Sequence, residues 1–149
     1  MSDYYLEDFS VGQRFVTDAH HLTEADIKRF ASEFDPQPFH LDDNAAKDSL
    51  FGGLAASGWH TAALTMKLMV EGPFKPVGGL IGAGVEEIRW VKPVRPGDQL
   101  TVTTEVIDIR RSRSNPQRGI LKIRTTTLNQ HGDTVQEFVG NMVAQSRNE

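Results

Sequence analysis

The 149-residue sequence contains no cysteine. That excludes a disulfide framework, a thiol nucleophile and a thiolate zinc site. No apolar run approaches the roughly 18 residues that a membrane-spanning helix needs. The first residues, Met1 to Tyr5, are acidic where a secretion signal is basic and then apolar. A cytoplasmic protein without membrane contact is expected. Positive charge is also short: 16 Lys and Arg against 20 Asp and Glu leave a net charge of −4. Such a balance gives no bulk attraction to nucleic acid. The shortage is uneven, with net −7 over residues 1–74 and net +3 over residues 75–149. No repeat or low-complexity linker separates the halves, so a single domain over residues 1–149 is expected.

What is present is an α+β pattern. Thr23 followed by Asp26 is a variant of the capping box, and Leu22 is placed as a hydrophobic staple. Ile27, Phe30, Ala31 and Phe34 recur at helical spacing until Pro36 and Pro38. Two prolines in three residues predict a turn there rather than more helix. Asp42 or Asp43 caps a short helix through Ala45, Ala46 and Lys47. From Gly58 to Val70 runs the most apolar helical segment, capped by Ser57 and ended by Gly72-Pro73. Leu64 and Leu68 widen its stripe of Ala62, Ala63, Met66, Met69 and Val70, which predicts burial on several sides.

The period then changes to two. Residues 84–92 alternate weakly. Leu100, Val102, Thr104 and Val106 form one set, Leu121, Ile123, Thr125 and Thr127 another, and Val135, Glu137, Val139, Asn141 and Val143 a third. Pro93, Pro96-Gly97, Asn115-Pro116 and His131-Gly132-Asp133 mark the turns. Val11 to His20 can add one more strand. Strands joined by short turns favour an antiparallel sheet, and the long helix would cover its apolar face. The glycine-rich stretch Gly78 to Gly84 lacks the strand–helix context of a nucleotide loop, so it reads as a lead-in to the following strand.

Three segments carry candidate chemistry. In Phe34-Asp35-Pro36-Gln37-Pro38-Phe39-His40, a turn can set Asp35 beside His40. Such a pair can position a water and take its proton, with Phe34 and Phe39 as apolar surround. The plain alternatives are an aspartate bonded to its own backbone and a satisfied, half-buried histidine. A metal site from His40, Asp42 and Asp43 fits no standard ligand spacing. The second segment is Ala55-Ala56-Ser57-Gly58-Trp59-His60. If a helix starts here, its first amides have no internal partner and can hold a developing oxyanion, with Gly58 allowing close approach. The alternative is plain capping by Ser57, with His60 a packed histidine and Trp59 core or interface. In the third segment, Arg110, Arg111, Arg113 and Arg118 crowd a hairpin tip. They can meet phosphates, lie solvated, or grip a second subunit.

Asp35 through His40, Phe51-Gly52-Gly53, Ala56-Ser57-Gly58 and Val94-Arg95-Pro96-Gly97-Asp98 together resemble the MaoC-like dehydratases. That family includes the (R)-specific enoyl-CoA hydratases of the hotdog fold. The resemblance implies a long helix wrapped by a curved antiparallel sheet, paired into a homodimer, with an acyl-CoA thioester as substrate. It places the catalytic pair on Asp35 and His40, the small residue at the helix start on Ser57 and the thioester-oxygen amide on Gly58. Phe34, Phe39, Phe51, Gly53, Trp59 and His60 are then candidates for the pocket. Arg110, Arg111, Arg113 and Arg118 become candidates for the CoA phosphates. No cofactor is implied, since coenzyme A is part of the substrate, and neither nucleic acid nor membrane is an expected partner. Gln37 stands where the family usually carries asparagine, and Trp59 where relatives often carry methionine. The implied reaction is hydration of a 2-enoyl-CoA to a 3-hydroxyacyl-CoA, or its reverse. A hotdog thioesterase and a non-catalytic acyl-CoA-binding or assembly subunit are the alternatives.

Overall fold

Thr23 ends an extended segment and accepts the Asp26 N–H at 3.1 Å, and the first helix starts there. In the computed structural model, which describes residues 3–147, a 3-10 turn at Leu6–Asp8 comes first. Then come strands β1 (Arg14–Val16) and β2 (His20–His21) and helices α1 (Glu24–Phe34), α2 (Pro38–Leu41), α3 (Asp43–Lys47) and α4 (Gly58–Glu71). Strands β3 (Ile81–Trp90), β4 (Gln99–Arg111), β5 (Arg118–Leu128) and β6 (Thr134–Gln145) complete the order. All the strands pair antiparallel, in the order β1-β4-β5-β6-β3, with β2 also on β4. Register shifts in β3 and β4 mark irregularities of the bulge type, which bend a strand. The long helix packs on this sheet, an α+β hotdog as expected.

The core lies between α4 and the sheet. Leu64, Leu68 and Met69 bury against Leu100, Val102 and Val106 of β4 and Leu121 and Ile123 of β5. Each such side chain contributes about 1.5–3 kcal/mol relative to exposure. Tyr4, Phe9, Phe15 and Phe74 close one end with ring centroids 5.0–6.2 Å apart.

Three expectations change. Pro38 does not stop helix formation but begins it: Gln37 is the N-cap and Pro38 the first residue of the one-turn α2. Proline suits that position because its missing N–H would have no partner there. Helix α4 is not enclosed all round, since Trp59, Ala63, Met66 and Val70 form an exposed apolar stripe. In β6 the core-facing set is Gln136, Phe138, Met142 and Ala144, while Glu137, Val139, Asn141 and Val143 alternate with them on the less buried face. Both sets contain apolar residues, so alternation alone does not fix the phase.

The loops that carry the site are pinned from several sides. Asp42 caps α3 by accepting the Ala45 N–H at 3.2 Å. The Gly97 N–H donates to Leu22 C=O at 2.7 Å and the Leu22 N–H to Asp98 C=O at 2.9 Å, tying the turn before β4 to the start of α1.

Candidate active site

Helix α1 ends at Phe34 and leaves Asp35 as its C-cap, at φ −155° and ψ 66° rather than in the left-handed region. The backbone then folds on itself at Gln37, whose N–H donates to Asp35 C=O at 2.7 Å and whose C=O accepts the His40 N–H at 3.0 Å. The helical turn that Pro38 begins swings His40 back toward Asp35. His40 Nε2 lies 3.3 Å from Asp35 Oδ2. His40 is 4% exposed, so its polar atoms must find partners inside the protein.

Its other nitrogen fixes the tautomer. His40 Nδ1 lies 2.6 Å from Ala55 C=O. A carbonyl oxygen only accepts, so Nδ1 carries a proton and donates it. Nε2 is thereby the nitrogen left to face the Asp35 carboxylate.

Both oxygens of Asp35 are held. Ser57 Oγ donates to Oδ2 at 2.7 Å and Gln37 Nε2 donates to Oδ1 at 2.5 Å. Burial by itself would raise the pKa of this carboxyl. The bonds from Ser57 and Gln37 and the field of His40 outweigh burial and hold it below the ordinary aspartate value.

Ser57 is also the N-cap of α4, accepting the Trp59 N–H at 3.2 Å. The next residue, Gly58, has an N–H with no hydrogen-bond acceptor among the described residues. It stands at the positive end of the helix dipole. A side chain is impossible there, because a Cβ on Gly58 would lie 2.5 Å from the Trp90 ring. Asp35, His40 and Gly58 border one largely apolar cavity of about 260 Å³, walled by Phe51, Trp59, Trp90 and the segment Val91–Val94.

Other candidates fall in different places. Phe39 meets the His40 ring edge-on at 4.6 Å and Phe51 lies 5.8 Å from it, so these two form the apolar surround. Phe34 is turned outward at 69% exposure, stacks near Phe30 and does not line the cavity. His60 also faces away, stacked on Phe30 at 4.6 Å, and burial of its ring lowers its basicity. Gly53 lies under Arg95 rather than in the cavity. Arg110, Arg111, Arg113 and Arg118 border a separate hollow of about 550 Å³ at the far end of β4 and β5. Arg111 is committed to Glu7 and Ser146, whereas Arg110, Arg113 and Arg118 form no salt bridge with any described residue.

Two supports escaped the sequence reading. Arg95 donates to the carbonyls of Phe51, Gly53 (2.9 Å) and Leu54 (3.2 Å), and so holds the loop that presents Ala55 C=O to His40. Its segment, residues 94–98, reads as a turn and as part of the family resemblance, with no role given to the guanidinium. Trp90 and Gln136 are the other support, joined across 46 positions of sequence.

Residues 8–128 match the family described as MaoC like domain. The chain belongs to that family. A solved MaoC-like dehydratase from Rhodospirillum rubrum is similar at 51% identity and TM-score 0.95, covering 98% of this chain and 99% of that one. The protein YdeM of Bacillus subtilis is 38% identical over 125 residues, 84% of this chain and 87% of its own. The unliganded R-hydratase PhaJ1 of Pseudomonas aeruginosa is 26% identical with TM-score 0.74, over 97% of this chain and 88% of that one. The family expected from the proline loop is the one found, and the MaoC-like hotdog is its architecture here.

Proposed function

We propose that the protein hydrates a 2-enoyl-CoA to a 3-hydroxyacyl-CoA, and catalyses the reverse dehydration, with Asp35 and His40 as the catalytic pair. The observation that carries this reading is one cavity bordered by a bonded Asp–His pair and an unpaired helix-start N–H. The family match points to the same reaction class, a hydratase or dehydratase.

In the hydration direction, ionised Asp35 takes a proton from water as the water oxygen bonds to the β-carbon. The C=C electron pair moves toward the α-carbon and the thioester oxygen, where the Gly58 N–H meets the developing charge. His40 Nε2–H gives its proton to the α-carbon. The proton on Asp35 then crosses the 3.3 Å gap to His40 and restores the starting state. Water has been added and no other reactant is consumed.

A second copy of the chain completes the substrate site in this reading. β3 ends the sheet, is exposed along almost its whole length, and has one edge unpaired among the described residues. Within one chain the arginine tip and the cavity stand apart by the length of β5, roughly 33 Å at about 3.3 Å per residue. Two-fold antiparallel pairing of β3 with its copy sets Ile81 of one beside Trp90 of the other. Ile81 leads through Val143 and Ile120 to Arg110 in the sheet register. The arginines of one copy then stand four strand spacings, about 19 Å, from the cavity of the other, a span an extended CoA can bridge to bring its phosphates to these cations.

The test is a panel of 2-enoyl-CoAs followed at the enoyl-thioester absorbance band, with free CoA measured in parallel. Loss of the band without CoA release is expected. CoA release from saturated acyl-CoA without hydration favours a thioesterase, and tight binding without turnover favours an assembly subunit.

A further inference from the structure

Gln136 lies on the core face of β6 and is fully buried. An amide there costs stability unless both of its ends are bonded. Both are. Trp90 Nε1 has only a proton to give, so the atom facing it at 2.9 Å is Gln136 Oε1. That orientation turns Gln136 Nε2 toward Thr65 Oγ1 at 3.0 Å. Thr65 gives its single proton to Thr61 C=O at 2.8 Å. At the 2.7 Å contact between the two hydroxyls, Thr127 is therefore the donor. The result is a polar chain from β5 and β6 into α4, with the direction of each of these hydrogen bonds assigned.

Its outer end is Trp90. The indole N–H also donates to Gly58 C=O at 3.0 Å, and the ring rests on the Gly58 Cα closely enough to exclude any side chain. Trp59 meets it edge-on at 5.1 Å. Gly58 is thus held at its carbonyl and its α-carbon by a ring that Gln136 holds in turn. A methionine at position 136 would fill a similar volume and pack against the same neighbours, but it could not accept the indole proton.

We propose that Gln136 is a positioning residue: through Trp90 it fixes Gly58 so that the N–H at the start of α4 keeps its aim into the cavity. The inference rests on the hydratase reading for its kinetic consequence and not for its structural one. Two single variants, Gln136→Met and Trp90→Phe, remove the Trp90–Gln136 hydrogen bond from opposite sides, Trp90→Phe removing the bond to Gly58 C=O as well, and the double variant removes both partners.

The experiment measures kcat, KM and the pH profile for the best enoyl-CoA in all four proteins. Each single variant is expected to lower kcat about 10- to 100-fold, as displacement of an aligned group does. In Gln136→Met, which leaves the cavity wall intact, KM should stay within about threefold, and in neither single variant should the pH limbs move, because Asp35 and His40 are untouched. The double variant should be no slower than the slower single one, since the two residues act as one unit. A folded Gln136→Met protein with kcat within twofold of wild type overturns the proposal, and so do losses that multiply in the double variant. A turnover-independent readout separates its failure from that of the hydratase reading. The amide ¹⁵N order parameter of Gly58 should fall in Gln136→Met while that of Leu64 does not. An unchanged Gly58 value overturns the proposal even if no enoyl-CoA is turned over.

Discussion

Ser57 Oγ donates to Asp35 Oδ2 at 2.7 Å and accepts the Trp59 N–H at 3.2 Å. One hydroxyl therefore caps the long helix and orients the carboxylate. Ser57→Ala should destabilise the fold by about 1 kcal/mol, the usual worth of a cap. Because a bond that lowers the Asp35 pKa is lost, the acid limb of kcat/KM should move to higher pH. Gln37→Ala should move it the same way by less, since Ser57 exerts the larger effect. Denaturant unfolding and pH–rate profiles of the two variants check both expectations.

Arg95 acts at one remove, through three carbonyls of the loop before Ala55. Arg95→Met should cost about 1.5–3 kcal/mol, in the range for hydrogen bonds to a charged group. It should also lower kcat, because Ala55 C=O no longer fixes the His40 tautomer. Arg95→Lys should recover only part of either loss, since an ammonium cannot span three acceptors as a planar fork does. Urea titration and steady-state kinetics of both variants measure these effects.

Glu7 ties the first turn of the chain to the end of β6. Bonds from Ser146 Oγ, the Arg147 N–H and the Arg111 guanidinium pull its carboxyl down to about 2 from 4.5. The folded state therefore holds this group ionised where the unfolded chain binds a proton. Its stabilisation is fully present above about pH 4.5 and is lost as pH falls through about 2. Glu7→Gln should be less stable than wild type at pH 7, and the two should converge near pH 2. Unfolding curves across that range test the sign.

The arginine tip should affect binding rather than chemistry. Replacing Arg110, Arg113 and Arg118 by alanine should raise KM for the enoyl-CoA and flatten its salt dependence, with kcat within a few-fold of wild type. Arg111→Ala should behave differently and lower stability, because that guanidinium is bonded to Glu7 and Ser146. Kinetics at two ionic strengths distinguish the two behaviours.

Local signals made much of this fold legible. Thr23, Ser57 and Asp42 are all caps, and Leu100, Val102, Val106, Leu121 and Ile123 alternate into the core. Asp35 and His40 were readable because the two prolines punctuate their loop. The phase of β6 was not, since apolar residues occupy both of its faces and partner strands decide which face is inside. Nor were the supports of the site. The group that fixes His40 is a backbone carbonyl, which any residue type supplies. Gln136 looks like an ordinary polar strand residue until β3 brings Trp90 to it. The exposed stripe on α4 reads as core because an apolar helix face has the same composition whether or not another element covers it.

The most direct measurement is the single-turnover decay of the enoyl-thioester absorbance with Asp35→Asn beside wild type. The amide keeps the size of the side chain and can still meet Ser57, but it cannot take a proton from water. A folded Asp35→Asn protein should lose roughly 10²–10⁴-fold in hydration rate while still binding the enoyl-CoA. Decay at the wild-type rate would contradict the assignment of Asp35 and His40 as the hydrating pair.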